Sequence, residues 1–326
     1  MKNGAQETDF SSGMLVQLIL ASFRRQGILE AVLPKEDIHL AGAPRVGLDF
    51  KRNLLRTAFN TFGYAPILEA GFDIRLQHDS PMGYTLLKAT SVNDLLNRFF
   101  RFEKYFHSKH RLAIRSEDEK SITLWHYSKT SVRPEIYEDI VVAGLLAGIL
   151  DRFGCRDLVL EIEGQPLIAR GKVIRDISLP GDCSCFTVRW STVGPAHIPV
   201  FDGQNRFLNS LTAAGMGPVS RKTGSLISSD PVRSWKVEDV AGEFGLSARS
   251  LQRRLTEEGT TFSKCVMAAR CQCAVYYMTE EIDNLSAVGF LAGFSDAAHF
   301  SREFSKTMGI LPSDFRINLK SGSEND

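Results

Sequence analysis

One eight-residue pattern occurs twice in the last third of the chain. Residues 240–247 have the sequence Val-Ala-Gly-Glu-Phe-Gly-Leu-Ser, and residues 288–295 have the sequence Val-Gly-Phe-Leu-Ala-Gly-Phe-Ser, 48 residues later. Two helices that cross at a steep angle need a very small residue at their closest approach, and the tight turn between them favours a glycine with left-handed backbone. These positions are filled by Ala241, Gly245, Gly289 and Gly293. Each copy therefore predicts a helix-turn-helix.

The second helix of each copy is predicted to bury one apolar edge and to expose a polar face. The apolar positions recur four residues apart and are Leu251 and Leu255 in the first copy and Phe300 and Phe304 in the second. A serine precedes each helix, Ser247 or Ser295, and is predicted to cap it. The residues left on the outer faces, here called the recognition residues, are Arg249, Gln252, Arg253, Ala297, Ala298, His299 and Arg302.

The segment between the two copies is predicted to be a rigid spacer. Residues 262–278 have the composition of a single helix, which at 1.5 Å per residue is about 25 Å long. Successive major grooves on one face of DNA are about 34 Å apart. The spacing therefore suits one chain that inserts two helices into two successive major grooves of double-stranded DNA.

The matched motifs carry a specific family resemblance. The residues concerned are Val240-Ala241, Leu246-Ser247, Leu251-Gln252-Arg253, Gly293-Phe294, Phe300-Ser301-Arg302-x-Phe304 and Gly309-Ile310-x-Pro312-x-x-Phe315-Arg316. Residues 235–316 thereby resemble the DNA-binding domain of the AraC/XylS family of bacterial transcription regulators. The resemblance implies that the recognition residues contact bases. Two departures are Val288-Gly289, where the family has an apolar residue followed by alanine, and Ser305, where it has lysine.

A weaker resemblance covers residues 43–205. The residues that carry it are Gly83-Tyr84-x-Leu86, Thr90-Ser91, the helix around Leu95, and His197-Ile198-Pro199. This region resembles the α+β amino-terminal domain called arabinose-binding-like in one branch of the same family. The resemblance implies a domain that senses a small molecule or mediates dimerisation, and the name does not imply arabinose.

These patterns together predict two domains of different fold class. An α+β domain that binds an effector or dimerises is predicted over 1–214, a linker over 215–232, and an all-α DNA-binding domain with two helix-turn-helix motifs over 233–320. The linker prediction rests on a composition rich in Gly, Ser and Pro. Within the first domain, the pattern predicts a β-hairpin around residues 117–119, a long apolar helix from Pro134 to about Phe153, and a closing helix over 202–214.

Composition and charge fit a soluble two-domain protein and exclude several other classes. The chain has 326 residues, 43% of them hydrophobic and 24% charged, with a net charge of +1. Residues 233–320 contain eleven basic and eleven acidic residues, so that bulk charge gives no support for nucleic-acid binding. Six cysteines without a secretory signal indicate a reduced cytoplasm, and no apolar run is long enough to predict a membrane partner.

Candidate chemistry is sparse. Neither a dinucleotide loop nor a Walker-type loop is present, and no Gly-x-Ser-x-Gly motif occurs, so the sequence predicts no enzyme and no cofactor. The pair His107-x-x-His110 could place two imidazoles on one helical face, but no Cys, Asp or Glu is predicted to complete a site, and no metal is predicted. Cys183 and Cys185 would share one face of a strand, so a redox sensor at this pair stays an open alternative. Cys271-x-Cys273 points to opposite sides of a helix.

The sequence therefore predicts a cytoplasmic, sequence-specific DNA-binding transcription regulator, an activator that responds to a small-molecule effector. Two alternatives remain open: a ligand-free dimeric DNA-binding regulator, and a regulator that senses oxidants through cysteine. The family resemblance implies a homodimer that contacts RNA polymerase.

Overall fold

The computed structural model describes residues 10–33, 45–76, 85–107, 109–195, 217–279, 282 and 284–323. The chain divides into two compact units, Met1–Ile198 and Pro199–Asp326. The predicted closing helix at 202–214 and the motif at 197–199 lie outside the described residues. No helix within the described ranges combines the length and the apolar character needed to cross a membrane.

The first unit is an α+β structure. Its helices are α1 (Gly13–Arg25), α2 (Leu29–Val32), α3 (Leu48–Phe62), α4 (Ala65–Phe72), α5 (Val92–Phe106) and α6 (Ile136–Phe153), with a 3-10 helix at Asp73–Leu76. Its strands are β1 (Phe10–Ser12), β2 (Arg45–Gly47), β3 (His110–Asp118), β4 (Ser121–Ser128), β5 (Val159–Ile162), β6 (Gln165–Ala169), β7 (Lys172–Val173) and β8 (Cys185–Arg189). The predicted α+β fold class is confirmed.

Helix α6 lies at the centre of this unit because glycines let α4 approach its backbone. A Cβ atom added to Gly71 of α4 would overlap the carbonyl oxygen of Val141, and one added to Gly144 of α6 would overlap the carbonyl oxygen of Leu68. Only glycine permits this approach, since any side chain would push the helices apart. As predicted, α6 is apolar, and it ends at Gly154, which has a left-handed backbone.

Six strands form one sheet in the order β3-β4-β8-β5-β6-β7, and every neighbouring pair is antiparallel. The predicted hairpin is strands β3 and β4, which pair from His110 with Ser128 to Asp118 with Ser121. Along β4, Ile122, Leu124 and His126 are buried while the residues between them are half-buried. One face of β4 thus carries a histidine into the interior.

The described residues of the second unit form helices and no strand, which agrees with the predicted all-α fold class. It contains α7 (Pro218–Ser229), α8 (Val237–Glu243), α9 (Ala248–Glu257), α10 (Phe262–Thr279), α11 (Leu285–Leu291), α12 (Ala297–Met308) and α13 (Pro312–Ser323). Helices α8 and α9 form the first helix-turn-helix, α11 and α12 form the second, and α10 is the spacer between them.

The prediction of a linker over 215–232 is wrong for residues 218–229, which form α7. Val219 and Leu226 pack on the core of the first motif, and Ile227 is fully buried. The carboxylate of Glu258 accepts the backbone N–H groups of Val219 (2.9 Å) and Ser220 (2.7 Å) and so fixes the start of α7. Ser and Gly between the apolar positions made the helical spacing hard to recognise in the sequence. Pro218 lies in the first turn of the helix, where proline is tolerated.

Candidate nucleic-acid interface

The first recognition helix, α9, is fixed at both its start and its inner edge. Ser247 caps it, because the Ser247 hydroxyl accepts the backbone N–H of Ser250 at 3.1 Å. Leu251 and Leu255 are fully buried against the core of the motif. The turn before α9 passes through Gly245, whose φ is +65°. The outer face of α9 is thereby set by its buried edge.

The second recognition helix, α12, begins one residue later than the first. Its cap is Asp296, whose side chain accepts the backbone N–H of His299 at 2.7 Å, so the prediction of Ser295 as the cap is wrong. The shift agrees with the buried pair Phe300 and Phe304, which also lies one residue later than the leucine pair of α9. The turn itself matches the first motif, with Gly293 at a φ of +90°.

The crossing of α11 and α12 explains why glycine stands where the first motif has alanine. A Cβ atom built on Gly289 would lie 2.7 Å from Cγ and Cδ1 of Phe300. The first motif has Ala241, 1% exposed, at the same position and a leucine in place of the phenylalanine. A larger inward residue on the recognition helix therefore accompanies a smaller residue on the helix behind it.

Six of the seven recognition residues are exposed. These are Arg249, Gln252, Arg253, Ala297, Ala298 and Arg302. His299 is only half-buried, and its ring packs edge-on to Phe294 with the centroids 5.5 Å apart. Its Nδ1 atom lies 3.0 Å from the hydroxyl of Ser295. The ring is therefore held against the turn.

The two motifs differ in the charge they present. Side chains of Arg253 and Arg302 are 71% and 68% exposed, and their nearest carboxylates are Glu257 at 3.8 Å and Glu303 at 3.6 Å. Such exposed pairs are worth little and can be exchanged for a phosphate or a base edge. At the start of α12, hydrogen bonds from the His299 backbone and Ser295 lower the pKa of Asp296. An anion thus stands beside the second recognition face, where it disfavours phosphate.

A separate cluster of charged and imidazole side chains is buried in the first unit. Glu138 of α6 is fully buried, with Lys51 Nζ 2.9 Å from its Oε1 and Arg52 Nε 3.2 Å from its Oε2. The rings of His107 and His110 stack at 4.0 Å between centroids, and each has a nitrogen about 4 Å from Glu138 Oε1. The expectation that no acidic residue approaches the histidine pair is wrong, because Glu138 does.

The geometry of this cluster nevertheless disfavours a metal ion. Nδ1 of His107 accepts the backbone N–H groups of Lys109 (3.2 Å) and His110 (3.1 Å), so the neutral ring carries its proton on Nε2, the atom nearest Glu138. A ligating histidine does the opposite and donates its second N–H. Lys51 Nζ already lies 2.9 Å from Oε1 of Glu138, the carboxylate oxygen nearest both rings. The absence of a bound metal stays a prediction.

Burial sets the protonation of the same region. Burial alone would raise the pKa of Glu138, but Lys51, His110 and Arg52 together lower it to about 2. Burial lowers the pKa of His110 to about 3, and it also lowers the pKa of His107. The cluster is therefore a carboxylate held by two basic residues beside two neutral imidazoles.

Glu103 of α5 provides a pH test of this unit. Burial raises its pKa to about 8 from 4.5, so between these values the folded chain holds a proton that the unfolded chain has lost. The contribution of Glu103 to the free energy of unfolding is therefore fully present below pH 4.5 and is lost as the pH rises to 8. His107 and His110 titrate near pH 6.5 in the unfolded chain, but they do so equally in wild type and in Glu103→Gln, so the comparison cancels their effect. In urea unfolding, we expect wild type to lose about 2 kcal/mol between pH 6.5 and 8 relative to Glu103→Gln. Parallel pH curves for the two proteins would contradict the assignment.

The cysteine pairs do not form a common reactive face. Cys183 precedes strand β8 and is buried, whereas Cys185 begins the strand and is exposed, so the strand expected to place both on one face does not include Cys183. Burial raises the pKa of Cys183 to about 12. Cys271 and Cys273 are both fully buried in α10. Thiols of this kind are poor nucleophiles, since the thiolate is the reactive form.

Several known proteins are similar to the second unit of this chain. A family model described as "Helix-turn-helix domain" matches residues 240–318. The chain is 27% identical over 125 residues to the DNA-binding dual transcriptional regulator Rns of Escherichia coli. The matched stretch is 38% of this chain and 47% of that protein. It is 39% identical over 80 residues to the ornithine utilization regulator of Pseudomonas aeruginosa, 24% of each chain. It is 26% identical over 276 residues to the transcriptional regulator SirC of Salmonella typhimurium, 84% of this chain and 82% of that protein.

The chain thus spans just under half the length of Rns, and the family model covers none of the first unit. The residues matched by the family model include the turns and the recognition helices, α9 and α12, of both motifs. The C-terminal part of this chain, residues 240–318, is thus an AraC-type helix-turn-helix domain.

Proposed function

We propose that this protein is a cytoplasmic transcription regulator that binds double-stranded DNA with α9 and α12 in two successive major grooves. The observation that carries the proposal is the pair of exposed recognition faces that follow two matching turns. Arginine and glutamine on such a face can form bidentate hydrogen bonds with guanine and adenine. The relatives carry the names of transcriptional activators and regulators, which supports the same function.

The recognition residues are proposed to have unequal roles. Arg249, Gln252 and Arg253 can hydrogen-bond to base edges, whereas Ala297 and Ala298 can only touch a thymine methyl group. His299 is restrained by its contact with Phe294, which leaves Arg302 as the second motif's freest donor. The first motif therefore supplies most of the sequence specificity, and the second adds affinity.

We expect Arg253→Ala to weaken specific DNA binding by about 1 to 3 kcal/mol and to relax base preference in one half-site. The full chain would first select a site from random DNA, and affinity would then be measured by fluorescence anisotropy at one fixed salt concentration. Lys264→Ala removes an exposed cation from the spacer α10 and should leave base preference unchanged. An unaltered base preference for the Arg253 variant would overturn the recognition role of α9.

The remaining roles belong to the same proposal. The first unit is proposed to bind a small-molecule effector and to dimerise, and the regulator is proposed to activate transcription through RNA polymerase, with no catalytic activity of its own. A ligand-free dimer is the second candidate. A metabolite screen by thermal shift separates the two, because a ligand that binds only the native state raises the melting temperature.

A further inference from the structure

A cavity of about 320 Å³ opens in the first unit between the end of β4, the start of α6 and the turn before β8. This volume lies at the small end of the range for ligand sites and suits a molecule of amino-acid size. Its lining residues include Trp125 and Tyr127, whose rings stack at 4.8 Å, and Ser128 and Thr130. Most of the lining residues are polar or charged.

Two buried groups form part of its lining. His126 is 2% exposed and Asp139 is 4% exposed, and Nδ1 of His126 lies 2.7 Å from Oδ1 of Asp139. Among the described residues, His126 is the hydrogen-bond partner found for Asp139, which leaves the second carboxylate oxygen without a donor. This oxygen is not enclosed by protein atoms, so it is open to the cavity, where a ligand or water can donate to it.

The rim adds one charge of each sign. Asp182 is exposed and accepts the backbone N–H of Ser184 at 2.9 Å, and this interaction with Ser184 lowers its pKa, as does the charge of Arg133. Asp182 lies near enough to Asp139 to contribute to raising the pKa of that carboxyl, after the larger effect of burial. The cavity therefore brings together the carboxylates of Asp139 and Asp182, which repel each other, and the guanidinium group of Arg133. His126, also in the lining, is hydrogen-bonded to Asp139.

We propose that this cavity binds a small amino acid with a second amine, whose two ammonium groups lie against Asp139 and Asp182 and whose carboxylate lies against Arg133. Two cations and one anion match the two carboxylates and the guanidinium charge for charge. A monoamine would leave one carboxylate unmatched, and a diamine without a carboxylate would leave the guanidinium unmatched. The role of this ligand as effector rests on the proposed regulatory function, whereas its binding does not.

The test uses isothermal titration of the full chain, without DNA, with L-ornithine and L-lysine as probes. L-Norvaline lacks only the side-chain amine of ornithine, and putrescine lacks only its carboxylate. We expect at least one of the two diamino acids to bind, and each deletion to weaken binding about tenfold or more, because each removes a hydrogen bond between charged groups. No binding of either probe at millimolar concentration, or equal binding of ornithine and putrescine, overturns the proposal.

Variants assign the contacts. Asp182→Asn changes an exposed residue and should weaken the diamino acid about tenfold or more, and Arg133→Gln should abolish the preference for ornithine over putrescine. Glu119→Gln removes another exposed negative charge, from the β3–β4 turn, and should leave binding unchanged. Unchanged affinity for Asp182→Asn would contradict the site. If the wild-type chain selected no specific DNA site, that result would contradict the proposed regulatory function and would not affect the ligand site.

Discussion

The Glu138→Gln variant is expected to unfold with a free energy about 3 to 5 kcal/mol below that of wild type. Glutamine keeps the shape of the side chain and removes its charge. Lys51, 2% exposed, would then lose its only charged partner within salt-bridge distance among the described residues, and Arg52 would lose its partner as well. A buried cation without a counter-charge must either stay charged in an apolar interior or give up its proton, and both alternatives destabilise the folded state.

The measurement is urea unfolding of the full chain at pH 7, followed by tryptophan fluorescence in a Trp235→Phe background. The two tryptophans that remain, Trp125 and Trp190, both lie in the first unit. Glu69→Gln is the matched control, because Glu69 forms a salt bridge of 2.7 Å with Arg175 in which the side chains are 33% and 56% exposed. An exposed pair should cost at most about 1 kcal/mol. Equal losses for the two variants would contradict the role given to the buried cluster.

A second substitution separates the loss of charge balance from a simple loss of packing. Adding Lys51→Met to Glu138→Gln removes the buried cation and should restore part of the lost stability, since apolar replacements of a buried ion pair are often neutral. If packing alone were responsible, the double variant would be less stable than Glu138→Gln. The sign of the change therefore decides between the two explanations.

The DNA-binding unit could be predicted from the sequence because its constraints are local. A left-handed glycine, a small residue at the crossing and an inward pair four residues apart all fall within about twenty residues, and they occur twice. Asp296 was missed as a cap because Ser295 aligns with Ser247, and the two helices were assumed to start at the same distance from their turns. The shift of Phe300 and Phe304 by one residue was the available signal.

The interior of the first unit could not be predicted in the same way. Glu138 meets His107 and His110 only because α6 packs beside the ends of α5 and β3, and no periodicity brings such distant residues together. Strands β6 and β7 were missed because they are short and separated by a turn through Gly171. Helix α7 was missed because five of its twelve residues are Ser or Gly, although Val219, Leu226 and Ile227 recur at helical spacing.

Substitution of the two turn glycines is expected to separate backbone strain from steric overlap. Gly245 and Gly293 have φ values of +65° and +90°, so alanine at either position costs about 1 to 2 kcal/mol for left-handed backbone. Around Gly245 a new Cβ atom would meet nothing within 4 Å, whereas at Gly293 it would overlap the carbonyl oxygen of Pro231 and lie 2.8 Å from Nε of Arg270. That Nε already donates to the same carbonyl at 3.2 Å.

Since Pro231 and Arg270 are fixed by each other, neither can give way cheaply, and we expect Gly293→Ala to destabilise the second motif by about 3 kcal/mol or more. Amide hydrogen exchange of the full chain would show this as roughly hundredfold faster exchange over residues 285–308, against about tenfold for Gly245→Ala over residues 237–257. Specific DNA binding should fall with the population of folded α12. Similar exchange rates in the two variants would mean that the turn at Gly293 relaxes away from Pro231, and the close contact would then carry no stability.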